Sequence, residues 1–169
     1  MRMGEASASN TPGDVLACIG LGSCIGLALV DRSKGVAALA HVMLPEAPKP
    51  DPPQPHKFAD LAVPALLDLV LAHGGSRLRL EAALVGGAAM FQFGGSGQDI
   101  GQRNAHAVAR HLETLRIPVR ATEVGGSKGR TVRVAVGADL AITVREAGGT
   151  EEHLLGAARA GAESRAVFA

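Results

Sequence analysis

Cys24 and His41 stand seventeen residues apart, at the two ends of a stretch that otherwise reads as apolar sheet. A thiol and an imidazole are the pair from which nucleophilic acyl chemistry is most simply built. A free cysteine titrates near 8.5, so only a few per cent is thiolate at neutral pH. A neighbouring imidazolium favours the thiolate, and the same ring can protonate a leaving group and then activate water. Gly20, Gly22 and Ser23 come immediately before the thiol. Bare backbone N–H groups at Gly22 and Ser23 could line an oxyanion site there and admit a substrate backbone. The competing reading is structural, because buried cysteines usually act as small hydrophobes and a lone histidine on an apolar strand is often a satisfied core residue.

Whether the two side chains meet depends on the elements that carry them. Val15–Ile19, Cys24–Asp31 and Val36–Met43 are apolar on both faces, as expected of strands covered on two sides. The polar stretch Asp-Arg-Ser-Lys-Gly from 31 to 35 is a turn signal. A hairpin centred on Arg32-Ser33 opposes residues whose numbers sum to 65, with Cys24 facing His41 at a Cβ separation of about 4.5–5.5 Å. An odd-length turn would send the two side chains to opposite faces.

Beyond the hairpin, Met1 to Pro12 is small and polar and reads as a flexible segment (1–12). Pro45 to Pro55 holds six of the nine prolines and reads as an exposed loop. Phe58 to His73 has helical spacing ending at Gly74-Gly75, with Pro64 suggesting a start one turn later. Leu78 to Val85 reads as a strand. Asp99 is a candidate cap for a helix over 100–116. Strands are expected over 118–124, 131–136 and 140–145, and a helix from Glu151, whose acidic pair suits a helix N-terminus. The order predicts a single-domain α/β layered sandwich with a mixed, largely antiparallel sheet, a core domain over 13–146 and a helical extension over 147–169.

Composition excludes several classes. The chain has 169 residues, 47% hydrophobic and 20% charged, with net charge +1, no Trp, no Tyr and four Phe. Without a basic face or aromatic platforms it does not read as a nucleic-acid binder. The run from Leu16 to Val30 is short for a membrane span and broken by Gly20, Gly22, Ser23 and Gly26. Val15-Leu16-Ala17-Cys18 imitates a lipoprotein cleavage box, but the apolar stretch follows the box instead of preceding it. A cytoplasmic protein with reduced thiols is expected. No Cys/His/Asp cluster has metal spacing, His106 and His111 are five apart, and His56, His73 and His153 read as surface residues, so neither metal nor cofactor is expected.

Three glycine-rich stretches remain. Gly20-Leu-Gly-Ser-Cys-Ile-Gly26 departs from the dinucleotide spacing and precedes a strand. Gly86-Gly87 is either a close backbone approach beside the hairpin or a strand end. Gly125 to Arg130 is a turn that puts Arg130 near the site.

These stretches, taken together, resemble the CheD-type chemoreceptor glutamine deamidases. The resemblance rests on Leu21-Gly-Ser-Cys-Ile-Gly26, Leu39 to Pro45, Gly86-Gly-Ala88 with Met90-Phe91, Ile100-Gly-Gln-Arg-Asn104 and Gly125 to Arg130, spanning roughly Val15 to Arg145. It implies a thiol hydrolase that converts glutamine side chains of methyl-accepting chemotaxis receptors to glutamate with ammonia release, in some members with glutamyl methylesterase activity. Cys24 falls on the nucleophile and His41 on the base. It further implies a fold similar to the catalytic domain of cytotoxic necrotizing factor toxins, and a CheC-type phosphatase as partner. Where the family carries a threonine as third catalytic member, this chain has Cys18, a poor hydrogen-bonding group. That departure keeps two other readings open: a weakly active or inactive adaptor that tunes the phosphatase, and a thiol redox switch of Cys18 with Cys24.

Overall fold

The computed structural model describes residues 1–89 and 100–156. Its strands are β1 (Ala6–Ser9), β2 (Val15–Leu21), β3 (Ile25–Asp31), β4 (Val36–Val42), β5 (Glu81–Gly86), β6 (Val119–Val124), β7 (Arg130–Ala135), β8 (Ala141–Glu146) and β9 (Glu151–Gly156), with helices α1 (Ala59–Ala72) and α2 (Ile100–Thr114). They form two sheets, β1-β4-β3-β5-β6 and β2-β7-β8-β9. Every pairing is antiparallel except β5 with β6, which are joined through α2. The expected α/β class with mixed pairing is the one observed.

Side-chain alternation along β3 and β4 explains the layering. Ile25, Leu27, Leu29, Ala38, Ala40 and Val42 point to one side, where Ala62, Val63 and Leu66 of α1 and Val108 and Leu112 of α2 cover them. Ala28, Val30, Ala37 and Leu39 point to the other, against Cys18, Leu21, Val132, Val134 and Ile142 of the second sheet. Both strands are therefore buried along their whole length. Each fully buried Leu or Ile contributes roughly 1.5–3 kcal/mol relative to exposure.

Helix α1 starts at Ala59, earlier than Pro64 suggests. The Phe58 carbonyl accepts from Leu61 and Ala62 N–H, so the first turn is closed before the proline. The bond that Pro64 cannot donate is offset by burial of Ala59, Ala62 and Val63. The helix ends in a Schellman motif, Gly75 N–H to Val70 O and Gly74 N–H to Leu71 O, with Gly74 at φ +94°.

Four expectations are corrected. The hairpin closes on a four-residue turn, so partners sum to 67: Asp31 faces Val36 and Gly26 faces His41. Gly35, at φ +62°, takes the left-handed turn position, and the Asp31 carboxylate, accepting from Ser33 Oγ, Ser76 N–H and Arg79, fixes the start of the turn. Residues 6–9, expected to be flexible, form β1, because the open edge of β4 offers them a ladder. Residues 151–156, expected to open a helix, form β9, where Glu151 stands opposite Arg145 and accepts from Thr143 Oγ1 and Arg133. Leu78 lies outside a strand, in the short 3-10 turn Arg77–Arg79, and is 96% exposed; β5 begins only at Glu81. The Asp99 cap, Met90 and Phe91, and the tail from 157 onward lie outside the described residues.

Candidate active site

Strand β2 belongs to one sheet and β3 to the other, so Gly22-Ser23-Cys24 is the crossing between them. A bulge between Cys18 and Leu21, with Gly20 at φ +71°, bends β2 into this crossing. Cys24, half-buried, packs against the inter-sheet core. His41 is 4% exposed. The shift from 65 to 67 preserves parity, so Cys24 and His41 still share the inter-sheet face, as diagonal neighbours instead of directly opposed residues. No hydrogen bond joins them in this state. Catalytic contacts are commonly long before substrate is bound.

The third candidate lies close by. Cys18 is fully buried on the inner face of β2. A Cβ built on Gly26 would stand 3.7 Å from Cys18 Cβ and 2.8 Å from Val132 Cγ1. Gly26 is also the direct cross-strand partner of His41. A missing side chain at 26 thus lets the sheets close and brings residue 18 beside the pair.

Electrostatics differ from a preformed ion pair. Burial pushes the Cys24 thiol up from 9.0. The His41 ring is pushed below 6.5, chiefly by burial, partly opposed by the Met1 carbonyl beside it. Cys18 is pushed up to about 12, again chiefly by burial. The resting site is therefore neutral thiol beside neutral imidazole, and Cys18 stays a thiol at any physiological pH. His41 Nδ1 lies 3.5 Å from the Met1 carbonyl oxygen. Nothing in the sequence signals Met1 in this place.

The crossing is held from behind. Ala88 N–H donates to Gly22 O (2.8 Å), Asn104 Nδ2 to Ser23 O (2.9 Å) and Gly87 N–H to Cys24 O (2.9 Å). The amide N–H groups of Gly22, Ser23 and Cys24 donate no hydrogen bond among the described residues. Gly86 and Gly87 combine both readings of that pair: Gly86 ends β5, and a Cβ there would stand 2.2 Å from Cys24 O. Arg130 sits opposite Leu21 in β7, but its guanidinium turns to Gly125 O, Glu123 and Glu146. It braces the neighbouring turn and is hydrogen-bonded to neither Cys24 nor His41. Asn104 was legible only as a family residue; its position four before Val108 and eight before Leu112, a polar group in an apolar stripe, was the available signal.

A family profile described as CheD chemotactic sensory transduction matches residues 43–145. The probable chemoreceptor glutamine deamidase CheD of Clostridium kluyveri is 45% identical over 120 residues, 69% of this chain and 74% of the relative. Its counterpart from Geobacillus kaustophilus is 47% identical over 124 residues, 70% and 75%. The chain belongs to the CheD family. The profile match begins just after His41. Among the described residues, no group of three or more His, Cys, Asp or Glu could hold a metal ion, and no helix is long and apolar enough to cross a membrane.

Proposed function

We propose that this protein is a cytoplasmic chemoreceptor glutamine deamidase working through Cys24 and His41. One observation carries the mechanism: both side chains share the inter-sheet face, with Cys24 at the crossing, whose own N–H groups donate no hydrogen bond among the described residues. Neutral His41 takes the thiol proton as Cys24 Sγ attacks the carboxamide carbon of a glutamine. The N–H groups of Ser23 and Cys24 receive the developing oxyanion. The imidazolium returns its proton to the departing ammonia, leaving a thioester. His41 then deprotonates water, which attacks the thioester; glutamate leaves and the thiol is regenerated. Glutamyl methyl esters fit the same sequence, with methanol as leaving group. The layered sheets and helices support the resemblance to the cytotoxic necrotizing factor catalytic domain, and a CheC-type phosphatase is the proposed partner.

The fully buried Cys18 favours one second reading, a weakly active adaptor for that phosphatase, since a protonated thiol orients the imidazole poorly. Both readings are tested by mass-spectrometric mapping of a receptor cytoplasmic fragment after incubation with wild type, His41→Ala and Cys18→Thr. The deamidase reading expects glutamine-to-glutamate conversion by wild type and none by His41→Ala. Conversion seen only with Cys18→Thr would support the adaptor.

A further inference from the structure

Asn104 is fully buried on the inner side of α2, and its Nδ2 donates twice, to Ser23 O at 2.9 Å and to Met43 O at 2.7 Å. Ser23 immediately precedes the nucleophile, and Met43 lies two residues beyond the base. One side-chain amide therefore joins the segment carrying Cys24 to the segment carrying His41. The helix approaches this closely because Gly101 meets Gly87: a Cβ at 101 would stand 2.4 Å from Gly87 O.

The peptide geometry gives that bond a consequence. Ser23 C=O and Cys24 N–H belong to the same peptide unit, which is planar and trans, so the two groups point in opposite directions. A donor that holds the carbonyl toward α2 aims the Cys24 N–H away from it. The Gly22 carbonyl is held in the same way by Ala88 N–H, which sets the Ser23 N–H. We propose that Asn104 is a positioning residue for the deamidase reaction, fixing the Ser23–Cys24 peptide so that the nucleophile's own N–H serves the oxyanion. This rests on the assignment of Cys24 as nucleophile.

Asn104→Asp keeps the side-chain shape but leaves at most one O–H in place of the two N–H donors; Asn104→Ala removes the side chain. Each is compared with wild type and Cys24→Ala for ammonia release from a receptor fragment, with folded fraction measured by circular dichroism at the assay temperature. Cys24 alkylation by iodoacetamide is measured in parallel, since it needs the sulfur but builds no oxyanion. Loss of the aimed donor lowers kcat per folded molecule by roughly 100-fold in at least one of the two variants. KM and the alkylation rate stay within about threefold, because neither depends on the oxyanion. A loss of activity that merely tracks unfolding, or an alkylation rate that falls in step with kcat, overturns the inference. Wild-type kcat in the Asn104 variants with an inactive Cys24→Ala overturns this inference alone, whereas an active Cys24→Ala overturns the deamidase mechanism itself.

Discussion

Replacing Gly86 by alanine perturbs the site through one contact. Gly86 sits at φ +115°, and a Cβ there would stand 2.2 Å from Cys24 O and 3.2 Å from Leu21 Cβ. Backbone strain at such a φ costs about 1–3 kcal/mol. Ordinary contact needs roughly 1 Å more between that carbon and the oxygen, so the Cys24 carbonyl must move by about that amount. The Gly87 N–H bond to Cys24 O is then stretched or lost, costing about 1 kcal/mol more. The sum, about 2–4 kcal/mol, lowers Tm by roughly 4–16 °C in a chain of this size. Misplacing a catalytic group by about 1 Å lowers kcat by roughly 100-fold. Gly74→Ala is the control: φ is +94°, yet nothing lies within 4 Å of the added Cβ. It carries the strain without the displacement, so its Tm falls while its kcat stays at the wild-type value. Thermal melts and ammonia release at a temperature where every variant is folded separate the two effects. Wild-type kcat in Gly86→Ala would refute the placement of Cys24 against the end of β5.

Three other outcomes follow from burial and charge. The His41 ring is held below its ordinary range, so the acid limb of kcat/KM for deamidation lies below pH 6.5; a limb above 7 would contradict a neutral base at rest. Because the Cys18 thiol is raised from 9.0 to about 12, its contribution to stability is complete below pH 9 and lost as pH rises toward 12. Urea denaturation at pH 8 and pH 10.5 reads that loss, which Cys18→Val diminishes. Asp31, whose carboxyl is held below 3.8 despite the burial that opposes this, by Arg79, Ser33 and the Ser76 N–H, stabilises the turn above its unfolded pKa and ceases to as pH falls through the folded one. Asp31→Ala costs about 2–4 kcal/mol in the same assay by stripping those partners, and leaves kcat intact below Tm because the turn lies at the other end of the hairpin.

What was legible in the sequence was whatever burial writes into it. The strands β3 and β4 are covered on both faces and read as unbroken apolar runs, and α1 shows its stripe and its glycine stop. The register was not legible, because the choice between a two-residue and a four-residue turn rests on a carboxylate bound by Ser76 and Arg79, far along the chain. The polar strand β1 carries no pattern of its own and exists because β4 has an open edge. At β9, Glu151 and Glu152 suit a helix N-terminus equally well, and only cross-strand pairing with Arg145 and Arg133 decides for a strand. Cys24 and His41 could be named from their types and spacing. The bonds of Asn104 to Ser23 and Met43 could not, since they depend on α2, the crossing and the end of β4 meeting in space.

The proposed reaction depends most directly on the sulfur of Cys24. Ammonia released from a receptor cytoplasmic fragment, measured for wild type and Cys24→Ala at equal folded concentration, tests it in one assay. Release by wild type and a rate at background for Cys24→Ala is the predicted result; release by Cys24→Ala at the wild-type rate would contradict it.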